Sequence, residues 1–211
     1  MELLIKGFII GIAKVIPGVS GAMIAISFSL YDKLINTITN FFDKPKENSK
    51  FLFSLGFGIV LAIVFFSNII SYFINNYYIM TMMFFIGLIT SSTFTFSMEV
   101  DYNFKNIIII LFTIFLTMFI GINNTNGVYV MNGNFSDYLL YFLGGVIEIF
   151  SSIVPGISGT AILMMIGIYD YILMLFSNIF NITFLFDNIL LYLSYGIGIF
   201  FSFFLFSFGI S

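Results

Sequence analysis

With 60% of its 211 residues hydrophobic, only 8% charged and a mean hydropathy of +1.12, this chain cannot cover a water-facing surface; a soluble domain carries roughly 25% charged residues. It reads as an integral membrane protein, and its length allows one transmembrane unit over 1–211 rather than several domains. Cysteine, histidine, arginine and tryptophan are all absent, which removes disulfides, thiolate chemistry and iron–sulfur sites, and no cofactor, metal or nucleic-acid partner is expected. The net charge of −3 says little, because the placement of the charges matters more than their sum. Lysine as the sole cation, beside abundant Phe, Ile, Asn and Tyr, reads as codon bias rather than function.

The apolar runs are long and lack the period-two alternation of an outer-membrane barrel, so the spans are helical. Residues 3–16 form an apolar arm that stops at Pro17-Gly18. Proline removes a backbone donor, and glycine permits conformations closed to other residues. Lys14 and Pro-Gly interrupt the run without a small-residue cleavage site, so this stretch reads as mature structure rather than a secretory signal. Helix should restart near Ser20 or Gly21 and run to about Phe42. Arms of about 14 and 22 residues, against the roughly 20 needed to cross, fit a re-entrant hairpin whose tip lies near the midplane. A polar loop, 43–50, leads to three apolar segments at 51–74, 77–96 and 106–122, the last two separated by a loop carrying Glu99, Asp101 and Lys105. A Gly/Asn-rich loop from Asn123 to Asp137 precedes a second hairpin over about 138–180, broken at Pro155-Gly156, and a final span over 188–208.

The second half repeats the first. Pro17-Gly18-Val19-Ser20-Gly21 returns 138 residues later as Pro155-Gly156-Ile157-Ser158-Gly159, with Gly7 on Gly145 and Tyr31-Asp32 on Tyr169-Asp170. Downstream the shift grows to 140, setting Gly56 and Gly58 on Gly196 and Gly198. These four glycines read as small residues for close helix packing. The repeats cover about 3–74 and 138–211, around central spans at about 77–122. A hairpin adds no net crossing, and three spans lie between the two, so the repeats should be inverted in the membrane. Lysine placement gives the same orientation: all seven precede residue 106, and every one in a loop or at a helix end falls on the side of the N-terminus. The positive-inside rule then puts both termini in the cytoplasm. The expected fold is an all-α, polytopic membrane protein of two inverted repeats, each with a re-entrant hairpin broken at Pro-Gly-x-Ser-Gly.

Two broken helices meeting at the midplane would bring unpaired N–H groups and the hydroxyls of Ser20, Ser158 and Thr160 together, a setting that favours an anion. The plainer alternative is that the serines cap the second arms and Pro-Gly merely turns. Lys14, three residues before Pro17, is the one cation near a tip, and its counterpart is Ser152. Glu148, seven residues before Pro155, has Ile10 as its counterpart. Ionisable groups at this depth are functional candidates: Lys14 for holding an anion, Glu148 for coupling to protons or for pairing with Lys14 when the site is empty. Snorkelling is the alternative for Lys14. Asp32 and Asp170 lie fifteen residues past the prolines, where a hydrogen bond at the hairpin base is the simpler role.

Ala13-Lys14-Val15-Ile16-Pro17-Gly18-Val19-Ser20-Gly21, continued by Leu30-Tyr31-Asp32, resembles the first signature of the bacterial polyprenyl-phosphate transporters. Val154-Pro155-Gly156-Ile157-Ser158-Gly159-Thr160, continued by Gly167-Ile168-Tyr169-Asp170, resembles the second, and Phe85-Ile86-Gly87-Leu88-Ile89 is also similar to that family. Ala22 departs from a usual glycine, Ser29 stands where the second copy has Gly167, and the chain is short for the family. The resemblance implies a multi-pass protein of the cytoplasmic membrane that returns undecaprenyl phosphate from the outer to the inner leaflet for cell-wall synthesis. The lipid would bind at Lys14, Pro17, Gly18, Ser20, Gly21, Pro155, Gly156, Ser158, Gly159 and Thr160. Two other classes are open: a polyprenyl-pyrophosphate phosphatase-like enzyme and an inorganic-anion or small-solute carrier. Phosphatases with similar hairpins use Arg, His and Glu, and the lack of Arg and His here argues against an enzyme. Oligomeric state is not legible.

Overall fold

The computed structural model describes residues 1–97, 103–123 and 134–209, which form ten helices and no strand among them. The expected loop residues Glu99 and Asp101, and most of the Gly/Asn-rich stretch 123–137, lie outside the described residues. In the first repeat α1 covers Glu2–Val15, α2 Gly21–Ser27 and α3 Tyr31–Thr39. Then come α4, Pro45–Ser97, and α5, Phe104–Asn123. The second repeat has α6 over Phe135–Ile153, α7 over Gly159–Ile166 and α8 over Tyr169–Ser177. A short α9, Ile182–Asp187, which the sequence pattern did not suggest, precedes α10, Ile189–Gly209.

Both breaks fall where the Pro-Gly pairs predict them. Gly18 and Gly156 hold φ at +87° and +85°, a left-handed backbone that only glycine adopts without strain. The expected second arm of about 22 residues is instead two short helices. At the end of α2, Ser29 N–H donates to the Ile26 carbonyl and Leu30 N–H to that of Ala25. At the end of α7, Gly167 and Ile168 bond Met164 and Leu163 in the same way. This is the Schellman pattern, which needs a left-handed residue; Ser29 supplies φ +55° and Gly167 φ +84°. The result is a bend of 114° between α7 and α8.

A straight α4 of 53 residues would be about 80 Å long, against a hydrocarbon layer of about 30 Å. It does not run straight. Tyr77 leaves the helical conformation at φ −138°, ψ 46°. Gly11 lies on Ile59 and Ala62, and Gly18 on Ile89. In a straight helix Ile59 and Ile89 would be about 45 Å apart, too far for contact with two residues only seven positions apart. The chain therefore doubles back at Tyr77, and the two arms, 45–76 and 78–97, correspond to the two expected spans.

Packing follows the repeat. The backbone of Gly7 presses on the Leu55 carbonyl and that of Gly58 on the Leu4 carbonyl, seating α1 on the first arm of α4. Gly145 on Tyr195 and Gly198 on Phe142 seat α6 on α10 through equivalent residues. Gly56 and Gly196, expected to do the same, do not: an added Cβ at either would meet nothing within 4 Å. They lie on the other side of the helix. Between the repeats, α4 starts beside the end of the first hairpin, where Asn48 Nδ2 donates to the Asn40 and Phe41 carbonyls. It runs to the second hairpin, where Ile70 and Ile74 join Ile172, Leu173 and Leu175 in one core. Conversely, α10 starts beside α8, with Tyr192 Oη on the Leu175 carbonyl, and ends where Phe203 meets Phe41 at 6.0 Å.

Three helices are long and apolar enough to cross a membrane (α4 over Pro45–Phe94, α6, and α10 over Ile189–Phe206), and the bent pair α7–α8 makes a fourth candidate. Large apolar side chains such as Phe57, Phe65, Ile86, Phe112, Phe200 and Leu205 stand exposed on the helices. A water-soluble monomer does not tolerate so much apolar surface; hydrocarbon is its natural solvent.

Candidate functional site

The ends of α1 and α6 converge, and there the positions paired by the duplication touch each other. Lys14 Nζ lies 2.6 Å from Ser152 Oγ, its own counterpart, and 2.5 Å from Glu148 Oε1. The Lys14 and Glu148 side chains are 13% and 12% exposed, so this ion pair is largely removed from solvent. Ser151 and Ser152 hydroxyls both donate to the Glu148 carbonyl, at 3.0 and 2.6 Å. The motif glycines make room for the pair. A Cβ on Gly159 would strike Ser151 Oγ and lie 3.2 Å from Glu148 Oε2, while one on Gly21 would lie 3.2 Å from Lys14 Cγ.

The tips themselves interlock. Gly18 N–H donates to Ser158 Oγ at 3.3 Å, and the same oxygen accepts from Ala161 N–H and lies 3.0 Å from Thr160 Oγ1. Ser158 thus caps α7, as the plainer reading of the motif had it, and also grips the opposite tip. Ser20 does neither: its hydroxyl is buried, with no partner among the described residues. The repeat explains part of this difference, since Ala22 stands where the second copy has Thr160. Pro17 is fully buried, because Ile89 of the second α4 arm lies over its tip, whereas Pro155 and Gly156 are exposed.

Two clefts flank the first tip. One, about 460 Å³, is lined by Gly18, Ser20, Ser92, Thr93, Gly156 and Ser158. The other, about 480 Å³ and almost wholly apolar, sits between the two arms of α4 against Ile16, Phe66, Ile70, Tyr77, Phe84 and Phe85. The candidates Lys14, Glu148, Gly21, Gly159 and Thr160 therefore gather behind the tips, while Ser20, Gly18, Gly156 and Ser158 face the first cleft.

Asp32 is exposed, and Asp170 Oδ1 is buried with no partner among the described residues, so that oxygen makes no hairpin-base bond there. The neighbouring tyrosines reach the other repeat instead: Tyr31 Oη donates to the Ile153 carbonyl at 2.5 Å and Tyr169 Oη to that of Val15 at 2.8 Å. Neither tyrosine stood out as a site residue in the sequence, nor did Ser152. The available signal was duplication: the two tyrosines are equivalent in the two copies, as are the two residues whose carbonyls they reach, and Ser152 is the equivalent of Lys14.

Duplicated helices long and apolar enough to cross a membrane, tips broken at Pro-Gly and a largely buried charged pair at their meeting point define a polytopic helical membrane protein with a polar centre. The chain belongs to the undecaprenyl phosphate translocase-like family, which it matches over residues 10–208. It is 29% identical over 185 residues to a polyprenyl-phosphate transporter of Vibrio cholerae, covering 80% of this chain and 58% of that protein. It is 26% identical over 202 residues to a polyprenyl-phosphate transporter of Staphylococcus aureus, covering 92% of this chain and 71% of that one. The chain thus spans little more than half the length of the Vibrio relative. Both relatives carry the names of transporters, in agreement with the expectation that this is not an enzyme. No solved structure matches.

Proposed function

We propose that this protein moves polyprenyl phosphate across the bacterial cytoplasmic membrane, from the outer to the inner leaflet, returning the carrier for cell-wall synthesis. The observation that carries the reading is the Lys14–Glu148 pair held across the two repeats at the tips. A phosphate brought to the midplane must exchange its water for other donors, and Lys14 offers a charge-assisted one. Neutral ones come from Ser20, whose hydroxyl is unspent, and Ser158 on the cleft side of the tips, and from Thr160 beside Lys14 behind them. The adjacent apolar cleft, which touches Ile16 beside the tip, suits the first part of a prenyl tail. The family match and the names of the relatives support the same substrate class.

In this reading Glu148 occupies Lys14 while the site is empty and releases it when protonated. Headgroup binding and proton uptake are then linked, because neither charge is left buried alone. The molecule is one transmembrane unit with inverted repeats, re-entrant hairpins and both termini in the cytoplasm. The opposite runs of α4 and α10 between the two hairpin bases support the inversion. Rocking of one repeat against the other would expose the centre to each leaflet in turn.

Reconstituted vesicles loaded with labelled prenyl phosphate provide the test. Lys14→Met keeps the apolar stem and should weaken binding roughly tenfold to a hundredfold. Glu148→Gln, which removes the carboxylate charge at nearly constant size, should still bind the lipid but lose the coupling of transport to an imposed proton gradient. Unchanged affinity in Lys14→Met would remove the cation from the site and with it this reading.

A further inference from the structure

An incoming helix reaches a broken tip with its C-terminus, whose last carbonyls carry partial negative charge. That is the wrong sign for an anion. Here α1 ends at Val15 and α6 at Ile153, equivalent positions of the two repeats. Each final carbonyl is covered by a tyrosine hydroxyl from the opposite repeat, Val15 by Tyr169 at 2.8 Å and Ile153 by Tyr31 at 2.5 Å. The two tyrosines are themselves equivalent, and each opens the helix that follows a left-handed bend, at Ser29 or Gly167. Tyr169 is only 4% exposed and meets Phe85 edge-on at 6.4 Å, which fixes its ring. Lys14 adjoins Val15 in sequence, and its partner Ser152 adjoins Ile153, so both covered carbonyls border the charged centre.

We propose that Tyr31 and Tyr169 are positioning residues for the anionic headgroup. By covering the terminal carbonyls of α1 and α6 they cancel the negative helix ends, leaving Lys14 and the tip hydroxyls as what the phosphate meets. Without the phenol, an uncovered carbonyl oxygen would oppose the headgroup, and more strongly the greater its charge. A role confined to tying the repeats together has no such dependence on charge. This inference rests on the polyprenyl-phosphate reading.

The test compares the full-length protein with Tyr31→Phe and Tyr169→Phe in nanodiscs. Three probes share one tail and differ in headgroup charge: undecaprenol, undecaprenyl phosphate and undecaprenyl pyrophosphate. Removing either hydroxyl should weaken binding of the phosphate by roughly fivefold and of the pyrophosphate by more, with undecaprenol unaffected. Equal losses on all three probes, or no loss on any, would overturn the inference and leave the transport reading intact. Failure of the parent protein to bind undecaprenyl phosphate above undecaprenol would overturn the transport reading itself. Should the more buried Tyr169→Phe fail to fold, the half-buried Tyr31→Phe decides the question.

Discussion

Ser29 and Gly167 do the same work with different chemistry. Both carry the left-handed residue of a helix-ending turn, at φ +55° and +84°, but a side chain in that region costs about 1–2 kcal/mol that glycine does not incur. Part of any gain from glycine is returned as extra freedom of the unfolded chain. Ser29→Gly should therefore raise stability by about 0.5–1 kcal/mol, seen as a higher unfolding temperature in detergent with transport unchanged. A lower unfolding temperature would mean that the serine hydroxyl contributes something its geometry does not show. The same scale shows what sequence can and cannot reveal about a residue. Lys14 and Glu148 were legible as candidates because ionisable groups at membrane depth are rare. Their pairing, one of the two roles expected for Glu148, is seen in a contact between residues 134 apart in sequence, and no local pattern chooses it over proton coupling.

At the scale of elements, the helices were largely legible because apolar length and Pro-Gly breaks are local signals. The helix packing was only half legible. A Gly-x-Gly pair at 56–58 and again at 196–198 marks a surface of small residues, but only Gly58 and Gly198 face a partner helix. Gly58→Val should force α1 off the first arm of α4, because its side chain would occupy the place of the Leu4 carbonyl and the Phe8 nitrogen. Overpacking of this kind costs about 1–3 kcal/mol or more where backbone must move. Gly56→Ala should be tolerated, since nothing lies in its way. The yield of monodisperse protein and its unfolding temperature separate the two, and equal sensitivity at 56 and 58 would refute the assigned helix face. The second arm was misjudged in length for a related reason. Residues 21–42 are apolar enough to suggest one helix, but the bend at Ser29 is a backbone event in a residue type that seldom adopts it.

For the molecule as a whole, orientation in the membrane is the property most open to direct measurement. The chain has no cysteine, so single introduced cysteines report cleanly. Ser49 lies in the first turns of α4 and Asn103 just before α5, whereas Asn181 precedes α9 at the base of the second hairpin. With inverted repeats, an impermeant reagent should label Ser49→Cys and Asn103→Cys only from the cytoplasmic side and Asn181→Cys only from outside. Labelling of positions 49 and 181 from the same side would exclude inversion, whatever the fate of the site.

The sequence by itself determined that this is a helical membrane protein, that it is built twice from one unit, and where each unit breaks. Those are statements about composition, span length and self-similarity, all readable along the chain. Tertiary structure decided which copies meet. Lys14 bonds the serine that replaces it in the other repeat, 138 residues away, and the two tyrosines cover helix ends 122 and 154 residues away. It also decided how the two spans expected on either side of Tyr77 join, as one helix kinked where neither proline nor glycine marks the turn. The physical reason is common to these cases. Periodicity and propensity report the hydrogen bonds a segment makes with itself, whereas the polar centre consists of bonds between segments that approach only when the whole bundle packs.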